Sequence, residues 1–332
     1  MATSERFGTA PEDEHRRSQL AISIVRILAD RHPNMRVPED KFVKRSDSLS
    51  TINYQLSTIN SLNSMEFWNK VLELADTTAR RVGARLLLDF GRVQGLEKAD
   101  GSLVTESDRW ADAEIRSSIT KTFPDHAILS EEAEHGFTDA RWTWVIDPLD
   151  GTTNFTRGIP LWGISIGLLY DGNPVFGYVY FPPVNQTFYG YWAGDTGLDL
   201  PTGAYLNDRP IHVSQDRPSS NHFFSLCARS IQIWQPGFPC KIRMLGVATY
   251  NFLAVAAGAS LGGVEATPKI WDLAAVWAIL HAAGGSWRSL RDEPTFPAVV
   301  GRNYGSYAMP CLIVNQSELA DLVLPLMASI RK

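Results

Sequence analysis

The stretch RWTWVIDPLDGTTNF, residues 141–155, joins a hydrophobic run to two closely spaced acids. Residues 142–146 are mostly apolar and predict a buried strand. Asp147 follows at the end of that strand, and Asp150 comes three residues later, before a Gly-Thr-Thr turn. Turn chemistry explains each of these residues singly. It does not explain two carboxylates that repel each other, so the stretch predicts a cation between them.

The composition is that of a globular protein without a strong charge bias. The chain has 332 residues, of which 44% are hydrophobic and 20% charged, and its net charge is −5. A chain of this size holds one large domain or two moderate ones. The acidic balance argues against nucleic acid and anionic lipid as partners. The apolar runs are too short to span a membrane, and the N-terminus does not have the pattern of a secretory signal.

The cysteines give no sign of a disulfide framework or a zinc site. There are three, they are widely spaced, and they form no Cys-x-x-Cys pair: Cys227, Cys240 and Cys311. An odd number without a pairing pattern is typical of a reducing compartment. We therefore expect a cytoplasmic protein.

The first 64 residues differ from the rest of the chain. Residues 44–64 are polar and rich in Ser and Asn, so residues 1–64 are predicted to be a flexible extension, with one possible short helix at 21–29. Met65 is an available internal start. Residues 65–332 are predicted to be the folded domain, with an α+β half to about 195 and an α/β half from about 196.

The pattern of elements predicts an α+β layered architecture. A helix is expected to begin at Asn63 or Ser64 and to end near Gly91, and a second begins after the cap Thr105. A strand at 127–130 leads to a further helix start at Glu131. Antiparallel strands follow up to about residue 192, and the last third mixes strands with helices rich in small residues. Helices, then a meander, then mixed elements are typical of layered α+β folds.

Further acids lie at the predicted ends of elements. Asp108 comes three residues after Thr105, Glu131 and Glu132 follow a strand, and Asp272 opens a helix. Each of them singly fits a first-turn acid that meets the helix dipole. None has an obvious Lys or Arg partner nearby, however, and oxygen ligands suit Mg²⁺ or Mn²⁺.

The Gly-Thr-Thr turn after Asp150 adds a second kind of binding group. Backbone N–H groups at such a helix start can hold an anion. Divalent ions beside a place for phosphate point to phosphoryl transfer to water.

The chain resembles the inositol monophosphatase family, within a superfamily of Mg²⁺-dependent, lithium-sensitive phosphatases. The resemblance covers roughly residues 65–330. It rests on five segments: SLVTESD (102–108), SEE (130–132), WVIDPLDGTTNF (144–155), GAYLNDRPIHVS (203–214), and WDLAA with AAGG in 271–285. It implies a layered α/β/α/β sandwich of the inositol monophosphatase/fructose-1,6-bisphosphatase type. It also implies a homodimer.

The resemblance implies an active site with two to three Mg²⁺ ions. Carried over by position, the ligands are Glu131, Asp147 and the Leu149 carbonyl for one ion, and Asp147, Asp150 and Asp272 for another. Glu132 would support these ligands from outside the coordination sphere. The catalytic residues would be Glu131, together with Thr152 and Asp108, which orient and deprotonate the attacking water. The residues that contact the substrate would be Gly151, Thr152, Gly246, Ala248 and Glu265.

Some positions depart from the family pattern on the alcohol side of the pocket. Leu261 stands where relatives often have Asp, and Val247 where they often have Ser or Thr. Residues 286–295 lack the family's usual acidic-glycine turn. None of these departures affects an expected metal ligand. The resemblance therefore supports the predicted reaction more strongly than it supports any one substrate.

The resemblance leaves several substrates open. A small polyol phosphate, inositol 1-phosphate first, is the favoured prediction, and histidinol phosphate is the main alternative. Fructose 1,6-bisphosphate and other sugar or nucleotide phosphates are also substrates in the superfamily. Thr153 and Asn154 replace the Lys-Glu that is usual in relatives acting on 3′-phosphoadenosine 5′-phosphate, which disfavours that compound. A non-enzymatic binding role is disfavoured too, because every expected metal ligand is present.

Overall fold

The computed structural model describes residues 49–98, 101–234 and 236–327, with side chains from Ser64 onward. Residue contacts divide the chain into two units, Met1–Asn63 and Ser64–Lys332. The predicted helix at 21–29 lies outside the described residues. The flexibility of residues 1–64 therefore stays a prediction.

Helices occur from the beginning to the end of the part of the chain that the structure describes. They are α1 (Leu49–Asp89), α2 (Glu106–Thr122), α3 (Thr152–Thr156), α4 (Ala248–Ala256), α5 (Ile270–Ala282) and α6 (Ser317–Val323), with 3₁₀ turns at Pro182–Val184, Ile231–Ile233 and Leu324–Met327. In the part of the chain that is described, no helix is both long and apolar enough to cross a membrane.

Two predicted helix starts are wrong. The first helix begins at Leu49 instead of Asn63 or Ser64. Residues 49–63 contain no Gly or Pro, and Ile52, Leu56 and Ile59 recur at helical spacing within the polar run, so nothing interrupts the helix there. The helix predicted at Glu131 is a turn, because the chain reverses directly after the preceding strand.

The strands of the described residues form two large sheets and one small hairpin. The hairpin is β1 (Leu96–Glu97) with β2 (Leu103–Val104). The seven-stranded sheet has the order β3 (Ala127–Ser130), β4 (Trp142–Asp150), β5 (Gly163–Tyr170), β6 (Asn173–Phe181), β7 (Gln186–Tyr191), β8 (Gly203–Leu206), β9 (Arg209–Pro210). The five-stranded sheet has the order β11 (Lys241–Arg243), β10 (Phe223–Leu226), β12 (Gly262–Glu265), β14 (Cys311–Val314), β13 (Ser286–Ser289).

The layers alternate as expected for an α/β/α/β sandwich. Helices α1 and α2 pack on one face of the seven-stranded sheet, where Trp144 and Ile146 of β4 point. Val145, between them, points to the other face, which packs on α4 and α5. The same two helices pack on the five-stranded sheet, whose far face is covered by α6. The strict alternation along β4 agrees with a strand buried on both sides. The predicted fold class is confirmed.

A row of glycines lets α5 lie directly on the seven-stranded sheet. Gly167, Gly177 and Gly190 are paired side by side across β5, β6 and β7. A β-carbon on Gly177 would lie 2.0 Å from the carbonyl oxygen of Ala275, so a larger residue would push the helix away. At the start of α5, the Ser165 hydroxyl donates to the Trp271 carbonyl over 3.3 Å. The close approach fixes the N-terminus of α5 beside β4 and β5.

Candidate active site

Strand β4 carries two buried aspartates on the side of the sheet that faces α5. Asp147 pairs with Ser165 of β5 and Asp150 pairs with Gly163, with an irregular register between them. The strand therefore continues to Asp150, past the end that the sequence suggested at Asp147. The Leu149 amide donates to Asp147 Oδ1 over 2.9 Å, which fixes one carboxylate inside the irregularity.

A third aspartate comes from the first turn of α5. The Lys269 amide donates to Asp272 Oδ2 over 2.7 Å, so this carboxylate also caps its own helix. Carboxylate oxygens of Asp147, Asp150 and Asp272 lie within 4.8 Å of one another. None of the three takes part in an ion pair among the described side chains. Their charges thus face one another without a protein cation between them.

The electrostatics of the three aspartates reflect this crowding. Burial raises the pKa of Asp147 well above its usual value, and the charges of Glu131, Asp150 and Asp272 raise it further. Burial and the charge of Asp150 likewise raise the pKa of Asp272. Burial raises the pKa of Asp150 as well, against hydrogen bonds from Thr249 and Ala248 that lower it. The ionised cluster is therefore costly unless a positive charge enters it.

Thr249 holds Asp150 and was not found from the sequence. Its amide donates to Asp150 Oδ2 over 2.9 Å, and its hydroxyl donates to the same oxygen. The residue lies 99 positions from Asp150 at the start of α4, so no local spacing relates the two.

Lys98 joins the two glutamates that follow β3. Its ammonium nitrogen lies 2.9 Å from Glu131 Oε1 and 2.5 Å from Glu132 Oε1. Burial raises the pKa of Glu131 to about 7, although the charge of Lys98 works against this rise. Burial would lower the pKa of Lys98, but the two glutamates raise it overall. Lys98 comes from the β1–β2 hairpin, and the sequence did not indicate it.

Thr152 and Asp108 form a hydrogen-bonded pair at the start of α3. The Thr152 hydroxyl lies 3.1 Å from both Asp108 Oδ1 and the Leu149 carbonyl oxygen, and donates to one of them at a time. The other oxygen of Asp108 accepts from the Thr105 amide over 2.7 Å, in the capping box of α2. Burial raises the pKa of Asp108 to about 6, against the hydrogen bonds from Thr105. This carboxyl can therefore exchange a proton near neutral pH.

These groups border one cavity of about 450 Å³. Among the residues predicted for the site, the cavity is lined by Glu131, Asp147, Leu149, Asp150, Gly151, Thr152, Gly246 and Asp272. Asp108 reaches the wall through Thr152, and Glu132 reaches Glu131 through Lys98. Ala248 and Glu265 do not line it.

Glu265 is instead held inside the protein. Only 6% of its surface is exposed, and its Oε1 accepts from Asn251 Nδ2 over 2.7 Å. Burial raises its pKa to about 7, against hydrogen bonds from Asn251 and the Cys227 thiol. Glu265 ends strand β12, and the resemblance that implied its contact with the substrate did not indicate which way its side chain points.

Two cationic residues on the cavity wall were also missed. Arg229, from the loop after β10, and Lys269, just before α5, both line the cavity. Neither belongs to a motif that the sequence singled out. Arg229 lies 43 residues before Asp272 in the chain, so only the fold brings it to the site.

The donor set fits divalent metal ions. Four carboxylates, from Glu131, Asp147, Asp150 and Asp272, and the Leu149 carbonyl lie on one cavity wall, and all of them offer hard oxygen atoms. Asp147, Asp150 and Asp272 form no ion pair with a Lys, Arg or His side chain among the described residues. Oxygen-rich, negatively charged sites of this kind suit Mg²⁺ and similar ions.

Comparison with known proteins agrees with this chemistry. The model of the family described as "Inositol monophosphatase family" matches residues 68–329. A fructose-1,6-bisphosphatase/inositol-1-monophosphatase of Aquifex aeolicus (strain VF5) is 34% identical over 69% of this chain and 89% of its own length. A histidinol-phosphatase of Chlorobaculum parvum (strain DSM 263 / NCIMB 8327) is 31% identical over 64% of this chain and 83% of its own.

The fold is also similar to that of solved structures. The structure of an IMPase from Thermotoga maritima superposes with a TM-score of 0.64 at 29% identity. The match covers 78% of this chain and 98% of that one. The layered fold and the carboxylate cavity are therefore found together with a matching family model.

The raised pKa values predict an unusual effect of pH on stability. Asp108 and Glu131 have pKa values of about 6 and about 7 in the folded protein, whereas a carboxyl in the unfolded chain has a pKa near 4. The protonated carboxyls therefore favour the folded state at low pH. Their contribution to the free energy of unfolding is lost as the pH rises from about 4 through the folded pKa values. Mg²⁺ binds the ionised form, so we expect MgCl₂ to raise the Tm of metal-free protein more at about pH 8 than at about pH 5. Scanning calorimetry with and without MgCl₂ measures this difference. An equal or larger effect at the lower pH would contradict it.

Proposed function

Because this chain belongs to the inositol monophosphatase family and is therefore a phosphoric monoester hydrolase, we propose that it is a Mg²⁺-dependent phosphatase of small polyol phosphates. The substrate that we favour is inositol 1-phosphate, which is split into inositol and phosphate by an activated water. The observation that carries this proposal is the meeting of Glu131, Asp147, Asp150 and Asp272 beside the Thr152–Asp108 pair on one cavity.

The proposed metal ligands are the carboxylates on that wall, with the Leu149 carbonyl. Glu131, Asp147 and Leu149 would hold one ion, and Asp147, Asp150 and Asp272 another, with two to three Mg²⁺ in all. Bound Mg²⁺ would screen the phosphate charge, acidify the attacking water and stabilise the leaving alkoxide. Glu132 would act indirectly, by sharing the Lys98 ammonium with Glu131. Thr249 would keep Asp150 in place.

We assign the proton transfer to Thr152 and Asp108. When the Thr152 hydroxyl donates to Asp108, its oxygen lone pairs face away and can accept a hydrogen bond from water in the cavity. The water proton would pass to the threonine oxygen as the threonine proton passes to Asp108. The pKa of about 6 at Asp108 leaves that carboxyl ionised and ready to accept at neutral pH. Glu131, on the same wall, would support this step.

We propose that the amides of Gly151 and Thr152 hold the phosphate, with Gly246, Ala248 and Glu265 toward the alcohol. Gly151, Thr152 and Gly246 line the cavity, which supports their part of this assignment. Glu265 would need to turn from Asn251 to reach a substrate hydroxyl. A carboxylate that loses such a partner must gain another, so a substrate with several hydroxyls suits this position.

Histidinol phosphate is the second candidate, because one relative is named a histidinol-phosphatase. Its ammonium group could pair with Glu265 in place of the inositol hydroxyls. A broader sugar or nucleotide phosphatase would share the same metal chemistry.

The metal mechanism predicts that Asp150→Asn nearly abolishes turnover. The amide keeps the shape of the side chain but removes a charged ligand, so we expect kcat to fall at least about a hundredfold. Phosphate release from inositol 1-phosphate in MgCl₂ measures this, with Asp139→Asn, a change at an exposed acid outside the cavity, as the matched control. Undiminished hydrolysis by Asp150→Asn, or by wild-type protein in EDTA, would rule out the mechanism.

The proton-transfer role predicts that Thr152→Ala lowers kcat far more than it raises KM. The hydroxyl matters most in the transition state, so its loss should cost about a hundredfold in kcat. Thr152→Ser keeps the hydroxyl and should retain most of the activity. Steady-state kinetics on all three proteins separate the two constants. A rise in KM with unchanged kcat would contradict the proton-transfer role and would indicate that Thr152 only binds the phosphate.

We also propose that the protein is a cytoplasmic homodimer and that Li⁺ inhibits it. Support for the dimer comes from large apolar side chains that are about half exposed at Ile231, Trp234 and Met244. Subunit contacts commonly cover such side chains. Light scattering should give the mass of two chains, and Trp234→Glu should shift it toward one. A wild-type mass of one chain at every concentration would contradict the dimer.

A further inference from the structure

Behind the cavity wall, Asn251 and Glu265 form a buried pair in which one polar atom is unused. Asn251 Nδ2 donates to Glu265 Oε1 over 2.7 Å, and the two residues are 1% and 6% exposed, respectively. The other polar atom of the same amide, Asn251 Oδ1, is buried and accepts no hydrogen bond from any described residue. A buried carbonyl oxygen without a donor is costly. A hydrogen directed at Oδ1 would therefore stabilise the pair.

A neutral Glu265 supplies this hydrogen. A protonated carboxyl has an O–H donor beside its accepting oxygen, and a side-chain amide offers the complementary acceptor and donor. The two groups can thus close a ring of two hydrogen bonds, one from Asn251 Nδ2 to Oε1 and one from the Oε2 hydroxyl to Asn251 Oδ1. An ionised Glu265 only accepts, so it leaves the amide oxygen without a donor.

The charged groups around Glu265 also favour its neutral form. Burial is the main cause of its raised pKa of about 7, and the charge of Asp150 adds to the rise. Arg229 lowers this pKa, but by less than Asp150 raises it. The charge of Glu265 in turn raises the pKa of Asp272, so ionising both is unfavourable. Burial and the pairing with Asn251 remain when a metal ion balances the aspartates.

Two thiols flank Glu265 across the five-stranded sheet. Glu265 pairs with Cys311 of β14, and Cys227 directly follows β10, whose Leu226 pairs with the residue before Glu265. Burial raises the pKa of both thiols, so neither is a base that takes the proton of Glu265 at neutral pH.

The pair lies next to the proposed site. Thr267, two residues after Glu265, lines the cavity. Asn251 follows Thr249, which holds Asp150, by two residues in α4. The same short helix therefore fixes a proposed metal ligand and keeps Glu265 out of the cavity.

We propose that Asn251 is a positioning residue that holds Glu265 as a neutral acid outside the cavity, and that Glu265 loses its proton when it turns to bind the hydroxyls of a polyol phosphate. This inference rests on the proposed function, in which Glu265 contacts the alcohol part of the substrate. The proton passes to solvent as the ring with Asn251 opens, and the carboxylate then accepts hydrogen bonds from the hydroxyls. Recognition of a polyol therefore strengthens as pH rises through the pKa of Glu265.

Infrared spectroscopy on the Mg²⁺-loaded protein tests the substrate-free state. The C=O stretch of a neutral carboxyl is separate from the bands of a carboxylate, so the spectrum of the wild type minus that of Glu265→Gln isolates this group. We expect a neutral carboxyl band in the difference at about pH 6 and its loss at about pH 8. Glu66→Gln, at an exposed acid of α1 outside the cavity, is the matched control and should give no such band. A wild-type difference without the band at about pH 6 would overturn the proposal.

A pH profile tests the part that this proton plays in specificity. Cyclohexyl phosphate has the ring of inositol 1-phosphate without its hydroxyls, so the ratio of the two kcat/KM values cancels the pH effects that both esters share. We expect the ratio, inositol ester over cyclohexyl ester, to rise about tenfold between about pH 6 and about pH 8 in the wild type, as a group with a pKa of about 7 ionises. In Glu265→Gln the ratio should not depend on pH, and Glu66→Gln should keep the wild-type profile.

Two variants of Asn251 should move the midpoint of this rise in opposite directions. Asn251→Leu keeps the volume of the side chain but removes both hydrogen bonds with Glu265, which frees the carboxyl for the wet cavity, so the midpoint should fall. Asn251→Asp places a second acid beside Glu265, so the midpoint should rise. A midpoint that stays or moves the other way in a folded variant, or a wild-type ratio that does not depend on pH, would overturn the positioning role.

Failure of the proposed function would look different. A protein that hydrolyses neither ester in MgCl₂ would reject that function, whereas the infrared difference would still report whether Glu265 is neutral.

Discussion

The close approach of α5 to the seven-stranded sheet determines the geometry of the site. Gly167, Gly177 and Gly190 form a row without side chains, and the backbone of α5 lies in it. The helix thereby brings Asp272 within 4.8 Å of the carboxylates on β4. A fold that separated this helix from the sheet by one ordinary side chain would break the cluster. The packing of α5 on the sheet and the assembly of the carboxylate cluster therefore both depend on Gly167, Gly177 and Gly190.

The proposed metal site also implies an exchange of stability for metal binding. Burial raises the pKa values of Asp147, Asp150 and Asp272, so the metal-free protein holds like charges together at a cost. A divalent ion that entered the cluster would relieve this cost, and the relief would contribute to its affinity. Lys98 reduces the cost at Glu131 and Glu132 through two short contacts, which places a protein cation at one edge of the site and leaves its centre to ions.

Much of the site could be predicted from sequence because its residues are local. Asp147, Asp150 and Thr152 lie within six residues, and Asp108 follows its cap Thr105 in a capping box that the structure contains. The start of α1 was missed because a polar surface hid the helical spacing of its few apolar residues. The turn at Glu131 was missed because acids suit a helix start as well as a turn.

Contacts between residues that are far apart in the chain could not be predicted from the spacing of residues within motifs. Thr249 donates to Asp150 although 99 positions separate them in the chain. The side chain of Glu265 is directed into the protein by its hydrogen bond from Asn251 and by the pairing of β12 with β14. Arg229 and Lys269 reach one wall only through the order of the five-stranded sheet and the position of α5. The sequence thus indicated the carboxylate wall of the cavity but not the part of the wall formed by Arg229 and Lys269.

The direct test of the central claim is the number of divalent ions that the carboxylates bind. Mn²⁺ can replace Mg²⁺ at oxygen sites, and the EPR signal of free Mn²⁺ reports how much of the ion a metal-free sample takes up. We expect saturable binding of about two to three ions per chain in the wild type, and at least one fewer in Asp147→Asn, which removes the negative charge of the ligand shared by both proposed ions. No saturable binding, or the same number in the variant, would contradict the account.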